Sequence, residues 1–214
     1  ILIENIRYFK EEEINDENFS KKLGSLGDIY INDAFSCSHR KQASIHNITK
    51  FVKKSFAGPL LKKEINAINL VVQNKKEPIT CIIGGSKIST KINVIKKLIE
   101  KVNNLIIVGA MANNFFVFKN LKVGRSLIEE NTKEIIREIY KKAEKNKCEI
   151  LIPEDCKVSS NLTGTGKNKD LNSIEDNEII LDIGPKTIEN IKDKINQSNT
   201  VLWNGPAGYF ENEN

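Results

Sequence analysis

Two glycines and two lysines define the chemistry this chain could perform. Gly84 and Gly85 follow the short apolar run 79–83, and Lys87 and Lys91 come next, four residues apart. Glycine lets an anion approach the backbone closely, and a helix N-terminus offers unpaired amides with partial positive charge. If a helix began at Lys87, both ammonium groups would share one face and reach the same anion. Phosphate binding is the sharp reading; the bland one is a tight strand-to-helix turn with two solvated lysines. The spacing is not that of a P-loop, which has four residues between its first glycine and its Gly-Lys pair. A second stretch, GTGK at 164–167, only imitates one. Asn161 stands where the first glycine belongs, Asn168 where Ser or Thr belongs, and no apolar strand precedes. An exposed loop is expected there.

Four of the 33 basic residues are arginine, so each one raises a question. Arg7 follows Ile1–Ile3, read as a strand end that delivers Glu4, Asn5 and Arg7 to a loop. From such a place a guanidinium fork can grip a phosphate or carboxylate bidentately. The competing reading for Arg7 is an ion pair with the run Glu11–Glu13. Farther on, the loop NDAFSCSHRKQAS carries Asp33, His39 and Arg40 among small residues. His39 and Arg40 could bind an anion, and a catalytic role for His39 is imaginable, but a histidine in a loop is more often a surface hydrogen-bonding residue, which favours that role here.

The elements that must hold these groups are legible from periodicity. Residues 79–83 are apolar and β-branched, as in a buried strand, and Ile92, Ile95, Leu98, Ile99 and Val102 fall on one helical stripe. Asp16 suits the N-cap of a short helix reaching Leu26, and a strand is expected over 28–32. Residues 60–73 form an amphipathic helix with Leu61, Ile65, Ile68 and Val72 in line. Beyond the central unit, strands near 105–108, 149–152, 157–159, 179–182 and 200–203 alternate with helices near 112–118, 132–145 and 185–195. Such alternation predicts an α/β fold with a parallel sheet covered by helices on both faces. Four strand ends, at Gly84, Gly109, Gly184 and Gly205, finish in glycine turns, and in a parallel sheet these ends share the edge where ligands bind.

Composition sets the outer bounds. With 214 residues, 39% hydrophobic and 29% charged, the chain can bury a core of one large or two small domains. The net charge of +5 is spread along the sequence rather than gathered into a basic stripe with aromatics, which speaks against nucleic acid. Cys37, Cys81, Cys148 and Cys156 form no CxxC pair, and with two histidines the chain has little to complete a metal site; reduced packing thiols are expected. No apolar run reaches the ~18 residues of a membrane span, so a cytoplasmic protein without membrane contact is expected. The opening inside an apolar run and the polar close give the expectation of a piece of a longer protein.

Taken together, the stretches ENIRYFKEEE from Glu4, NDAFSCSHR from Asn32, GGSKISTK from Gly84, GAMANNF from Gly109, VGRSLIEE from Val123, LDIGPKT from Leu181 and VLWNGPAGYFE from Val201 resemble phosphoglycerate kinases. They come in the family's order and cover the chain nearly end to end. The resemblance implies a partial two-domain, Rossmann-like architecture. In it, residues 1–57 end the substrate-binding domain, 58–77 are the interdomain helix and linker, and 78–214 are most of the nucleotide-binding domain. It implies reversible transfer of a phosphoryl group between 1,3-bisphosphoglycerate and ADP, giving 3-phosphoglycerate and ATP. By the same likeness Arg7 and Arg40 would hold the phosphate of 3-phosphoglycerate, Lys91 the nucleotide phosphates, and Lys87 would lie near the transferred group. Gly84, Gly85, Gly109 and Asn204 would line the nucleotide site, and Glu211 would meet the ribose hydroxyls. Mg²⁺ would accompany ATP or ADP, with the family's metal-binding aspartate outside this chain. A monomer is expected.

An acyl phosphate is already activated, so such a protein needs no covalent nucleophile. It must align two anions, neutralise developing charge and, by hinge closure, exclude water. Val108, Ala110 and Ile180 stand where the family commonly has glycine and are expected to crowd the adenine pocket. Because the family's amino-terminal substrate loops and later glycine-rich turn fall outside this chain, the piece alone is expected to be inactive. Two other readings remain: a nucleotide-binding α/β module without transfer activity, and a dinucleotide-dependent oxidoreductase, disfavoured because no GxGxxG turn follows any strand.

Overall fold

The structure, a computed structural model, describes residues 2–73 and 76–211. The chain divides into two compact units, residues 1–74 and 75–214.

The first unit begins with a 3-10 turn at Ile6–Tyr8, followed by α1 (Lys10–Glu13) and α2 (Glu17–Gly24). Asp16 caps α2 as its sequence suggests, its Oδ1 accepting from the Phe19 amide at 2.7 Å. Residues 2–5, in contrast, form no strand, so Arg7 sits in the 3-10 turn rather than after a strand; Ile1 lies outside the described residues. Strands β1 (Ile29–Asn32) and β2 (Lys54–Ala57) pair in parallel, and α3 (Pro59–Gln73) follows. The Asp33 carboxylate accepts from the Leu61 amide at 2.8 Å, supplying one of the bonds that the first turn of α3 lacks. The apolar line expected on α3 is buried only at Leu61, whereas Ile65 and Ile68 are 40% and 42% exposed; the Val72 side chain lies outside the described residues.

The second unit is built on β3 (Ile79–Ile83). Every residue of this strand is buried, as the continuous apolar run demands of the middle of a parallel sheet. The sheet also contains β4 (Asn104–Ile107), β5 (Glu149–Leu151) and β9 (Thr200–Asn204), in the order β5-β4-β3-β9, all parallel. Alternation along β3 sends side chains to opposite faces. Ile79, Cys81 and Ile83 pack with Ile95 and Ile99 of α4 (Ile92–Ile99), Phe115 of α5 (Ala110–Phe118), and Ile136 and Ile139 of α6 (Lys133–Lys145). On the other face Ile82, Ile106 and Val108 pack against Ile191 and Ile195 of α7 (Pro185–Asn196). Each large side chain taken fully out of water here contributes about 1.5–3 kcal/mol.

A second sheet was not foreseen. Strands β6 (Asp155–Ser159), β7 (Lys167–Asp170) and β8 (Ile179–Ile183) pair antiparallel in the order β7-β6-β8. Strand β7 reads KNKD and has no apolar alternation; its backbone pairing with β6, not its side chains, makes it a strand. Lys167 of the GTGK stretch is therefore its first residue, while 164–166 form the loop before it.

Val108 does not crowd a ligand site, contrary to expectation. It is fully buried in the core on the α7 side of the sheet, while Ala110 and Ile180 do line a cavity, described next. No helix among the described residues is long and apolar enough to cross a membrane.

Candidate functional site

Three of the four glycine turns are joined to one another. The Gly84 amide donates to the Asn204 carbonyl at 2.9 Å, the Gly109 amide to Ala207 O at 2.9 Å, and the Met111 amide to Gly85 O at 2.9 Å. The ends of β3, β4 and β9 thus form one laced rim at the C-terminal edge of the parallel sheet, where open α/β sheets hold ligands. Two positions require glycine for this. Gly109 has φ +70° and an added Cβ would lie 2.8 Å from Gly85 N, while a Cβ on Gly84 would lie 1.9 Å from Pro206 O.

Gly184 does not join them. It ends β8, which belongs to the antiparallel sheet, and the helix start behind it is already filled. Asp155 accepts from the Lys186 amide at 2.9 Å, the Thr187 amide at 2.8 Å and the Thr187 hydroxyl at 2.7 Å. Burial pushes the Asp155 carboxyl up, but the bonds from Thr187 and Lys186 outweigh it and hold its pKa below the ordinary value. The N-terminus of α7 is therefore closed to an external anion.

Lys91 crosses the rim. Its Nζ donates to Gly84 O and to Asn204 Oδ1, both at 2.8 Å. Burial lowers its pKa below that of an ordinary lysine. The helix starts later than its spacing suggested, since Lys91 is the N-cap of α4 and Ile92 its first residue. Lys87 consequently lies in the exposed turn before the helix and does not stack above Lys91 on a helical face. It makes no ion pair among the described residues.

Sequence reasoning missed the residue that holds this turn. The Glu129 carboxylate accepts from the Ile88 amide at 2.5 Å, the Ser89 amide at 3.1 Å and the Ser89 hydroxyl at 2.5 Å. Its own amide donates to Asn114 Oδ1 of α5 at 2.8 Å. Burial raises the Glu129 pKa, but the bonds from Ser89 and Ile88, with the nearby Lys87 charge, carry it below the usual value. The stretch VGRSLIEE contains it, yet nothing in the spacing says which glutamate turns inward.

Beside the rim lies a cavity of about 540 Å³. Gly85, Gly109 and Glu211 line it; Lys87, Lys91 and Asn204 do not. Its walls include Phe116, Leu127, Ile180, Leu181, Pro206 and Phe210, with the Asp182 and Glu211 carboxylates among the polar groups. Strand β8 contributes its length to this wall rather than its glycine end, joined to the segment after β9 by the Tyr209 amide donating to Leu181 O at 2.7 Å. The arrangement offers a largely apolar cavity with two carboxylate residues in its lining and an ammonium held on the adjoining rim.

In the first unit, Arg7 and Arg40 are both exposed, and neither makes an ion pair among the described residues. The expected pairing of Arg7 with Glu11–Glu13 is absent there; Glu12 turns inward to Ser44 instead. His39 is exposed as well. Among the described residues no group of three or more His, Cys, Asp or Glu is placed to hold a metal ion.

Comparison with known proteins accords with this layout. The family model described as phosphoglycerate kinase matches residues 1–214. The chain is 50% identical over 212 residues to a phosphoglycerate kinase of Wolbachia pipientis subsp. Culex pipiens, covering 99% of this chain and 53% of that one. It is 43% identical over 215 residues to the chloroplastic phosphoglycerate kinase 1 of Arabidopsis thaliana, covering 100% and 45%. The solved phosphoglycerate kinase of Coxiella burnetii superposes with a TM-score of 0.81 at 34% identity, covering 98% of this chain and 54% of that one. The chain spans about half the length of the relatives it matches. With the family model matched from end to end and the laced glycine rim in place, the chain belongs to the phosphoglycerate kinase family.

Proposed function

We propose that this chain is the middle of a phosphoglycerate kinase, whose complete form moves a phosphoryl group reversibly between 1,3-bisphosphoglycerate and ADP. In this reading residues 1–57 close a substrate domain, where Arg7 and Arg40 grip the phosphate of 3-phosphoglycerate. Residues 58–77 connect it to a nucleotide domain over 78–214. The observation that carries the reading is Lys91, whose ammonium is held by Gly84 O and Asn204 Oδ1 beside an apolar cavity. A purine fits apolar walls, ribose hydroxyls suit the Glu211 carboxylate, and a polyphosphate would then run out along the rim towards Lys91 and Lys87.

The protein's part in the reaction is alignment and charge neutralisation. Lys91 and the rim amides steady nucleotide phosphates, Lys87 moves to the transferred group, and no side chain has to accept the phosphoryl group covalently. Magnesium would arrive on the nucleotide, and no step here passes through a protein metal site. The protein would act in the cytoplasm as a monomer. A coupled assay of the full-length protein with 3-phosphoglycerate and ATP tests the reading, and absence of ADP formation would refute it.

A second reading is favoured by the placement of the cavity and both lysines wholly within residues 75–214. That unit binds nucleotide without the rest, as a module lacking transfer activity. Titration calorimetry of the 214-residue chain with ADP tests it; no heat of binding would exclude it.

A further inference from the structure

Glu12 is 1% exposed, yet it makes no ion pair among the described residues. A buried carboxylate is stable only if its oxygens are hydrogen-bonded. Here both are satisfied by one residue. Ser44 donates its amide to Oε2 at 2.8 Å and its hydroxyl to Oε1 at 2.6 Å. The main chain adds a third bond, from the Ala43 amide to Glu12 O at 3.0 Å. Neighbouring bonds extend the joint, with Asn47 Nδ2 donating to Asn15 O at 2.6 Å and the Ser20 hydroxyl to Ala43 O at 3.3 Å.

Each candidate substrate arginine hangs from one side of this joint. Arg7 precedes Glu12 by five residues, along a run in which Phe9 N donates to Ile6 O and Glu12 N to Phe9 O. Arg40 precedes Ser44 by four residues, across the buried Gln42 and Ala43, with its own amide bonded to Cys37 O at 2.9 Å. Their side chains have no ion-pair partner among the described residues to fix them. We propose that Glu12 is a positioning residue: through Ser44 it sets the spacing of Arg7 and Arg40 as a two-pronged grip on one anion. The inference rests on the reading that these arginines bind the phosphate of 3-phosphoglycerate. A carboxylate accepts from both Ser44 groups at once, with charge-assisted bonds; a glutamine keeps an oxygen for the amide but presents N–H donors to the hydroxyl, which must turn to accept, so the joint is weakened and reset.

The test is steady-state kinetics of the full-length enzyme carrying Glu12→Gln. KM for 3-phosphoglycerate should rise about tenfold while KM for ATP stays as in the wild type, because misplaced grips cost substrate alignment. Ser44→Ala, which keeps the amide bond and loses the hydroxyl, should raise the same KM about threefold, and Ser44→Thr should restore it. A lowered melting temperature with KM for 3-phosphoglycerate unchanged in both variants would make Glu12 a purely structural brace and overturn the inference; so would an equal rise in both KM values. If Glu12→Gln does not fold, Ser44→Ala and its rescue by Ser44→Thr decide alone. Arg7→Ala separates the two levels: an unchanged KM for 3-phosphoglycerate would strike the parent reading, and the inference would fall with it.

Discussion

Lys91 and Asn204, 113 residues apart in the chain, meet as an ammonium donating to a side-chain oxygen at 2.8 Å. The contact joins the turn after β3 to the end of β9, the neighbouring strand in the sheet. It fixes a cation at the rim that would otherwise swing on a flexible four-carbon stem.

Lys91→Ala should therefore remove the rim ammonium proposed to steady nucleotide phosphates, without opening the core. We expect turnover of the full-length enzyme with ATP and 3-phosphoglycerate to fall by more than about tenfold. Thermal unfolding should change little. Retained turnover would remove Lys91 from the phosphate site.

Gly109→Ala is expected to act on the backbone. The left-handed φ of +70° and a Cβ only 2.8 Å from Gly85 N leave no room for a methyl group between two main-chain segments. A loss of about 2–4 kcal/mol in urea unfolding is expected, with weaker ADP binding by calorimetry.

Acid should loosen the lysine turn through Glu129. Its folded pKa lies below the unfolded value, so its stabilising contribution is complete above the ordinary carboxylate range and is lost as pH falls through the folded value. The melting temperature of Glu129→Gln should accordingly fall less than that of the wild type between about pH 6 and about pH 3.5. Parallel curves would show that Glu129 is not held as a carboxylate.

Thiol chemistry should distinguish one cysteine from three. Burial pushes Cys81 and Cys156 up to about 12 and Cys148 to about 11, whereas Cys37 is only half-buried. Iodoacetamide at about pH 8, read by peptide mapping, should modify Cys37 in the native protein and reach the other three only after unfolding. Native modification of Cys81 would mean that β3 opens readily.

Much of the fold was legible because the signals are local. A continuous apolar run made β3, a stripe at three- and four-residue spacing made the core face of α4, and an Asp16 N-cap made the start of α2. The misreadings share a cause. The condition for Lys87 and Lys91 to share a helical face, a helix beginning at Lys87, is not met because the turn is held by Glu129, 40 residues from Ser89, and no local rule reports a partner that distant. Grouping Gly184 with the other strand ends failed because periodicity does not encode strand direction, and β8 runs antiparallel to β6 in a sheet of its own.

The residue types and order alone determined the alternation of strands and helices, the glycine turns and the basic groups beside them, since each depends on neighbours within about one helical turn. Only tertiary structure decided that Lys91 leans on Asn204, that Asp155 fills the start of α7, and that Glu12 faces Ser44 rather than Arg7. A polar side chain shielded from water takes whatever donor or acceptor the packed chain brings to it, and packing is settled by the whole fold at once.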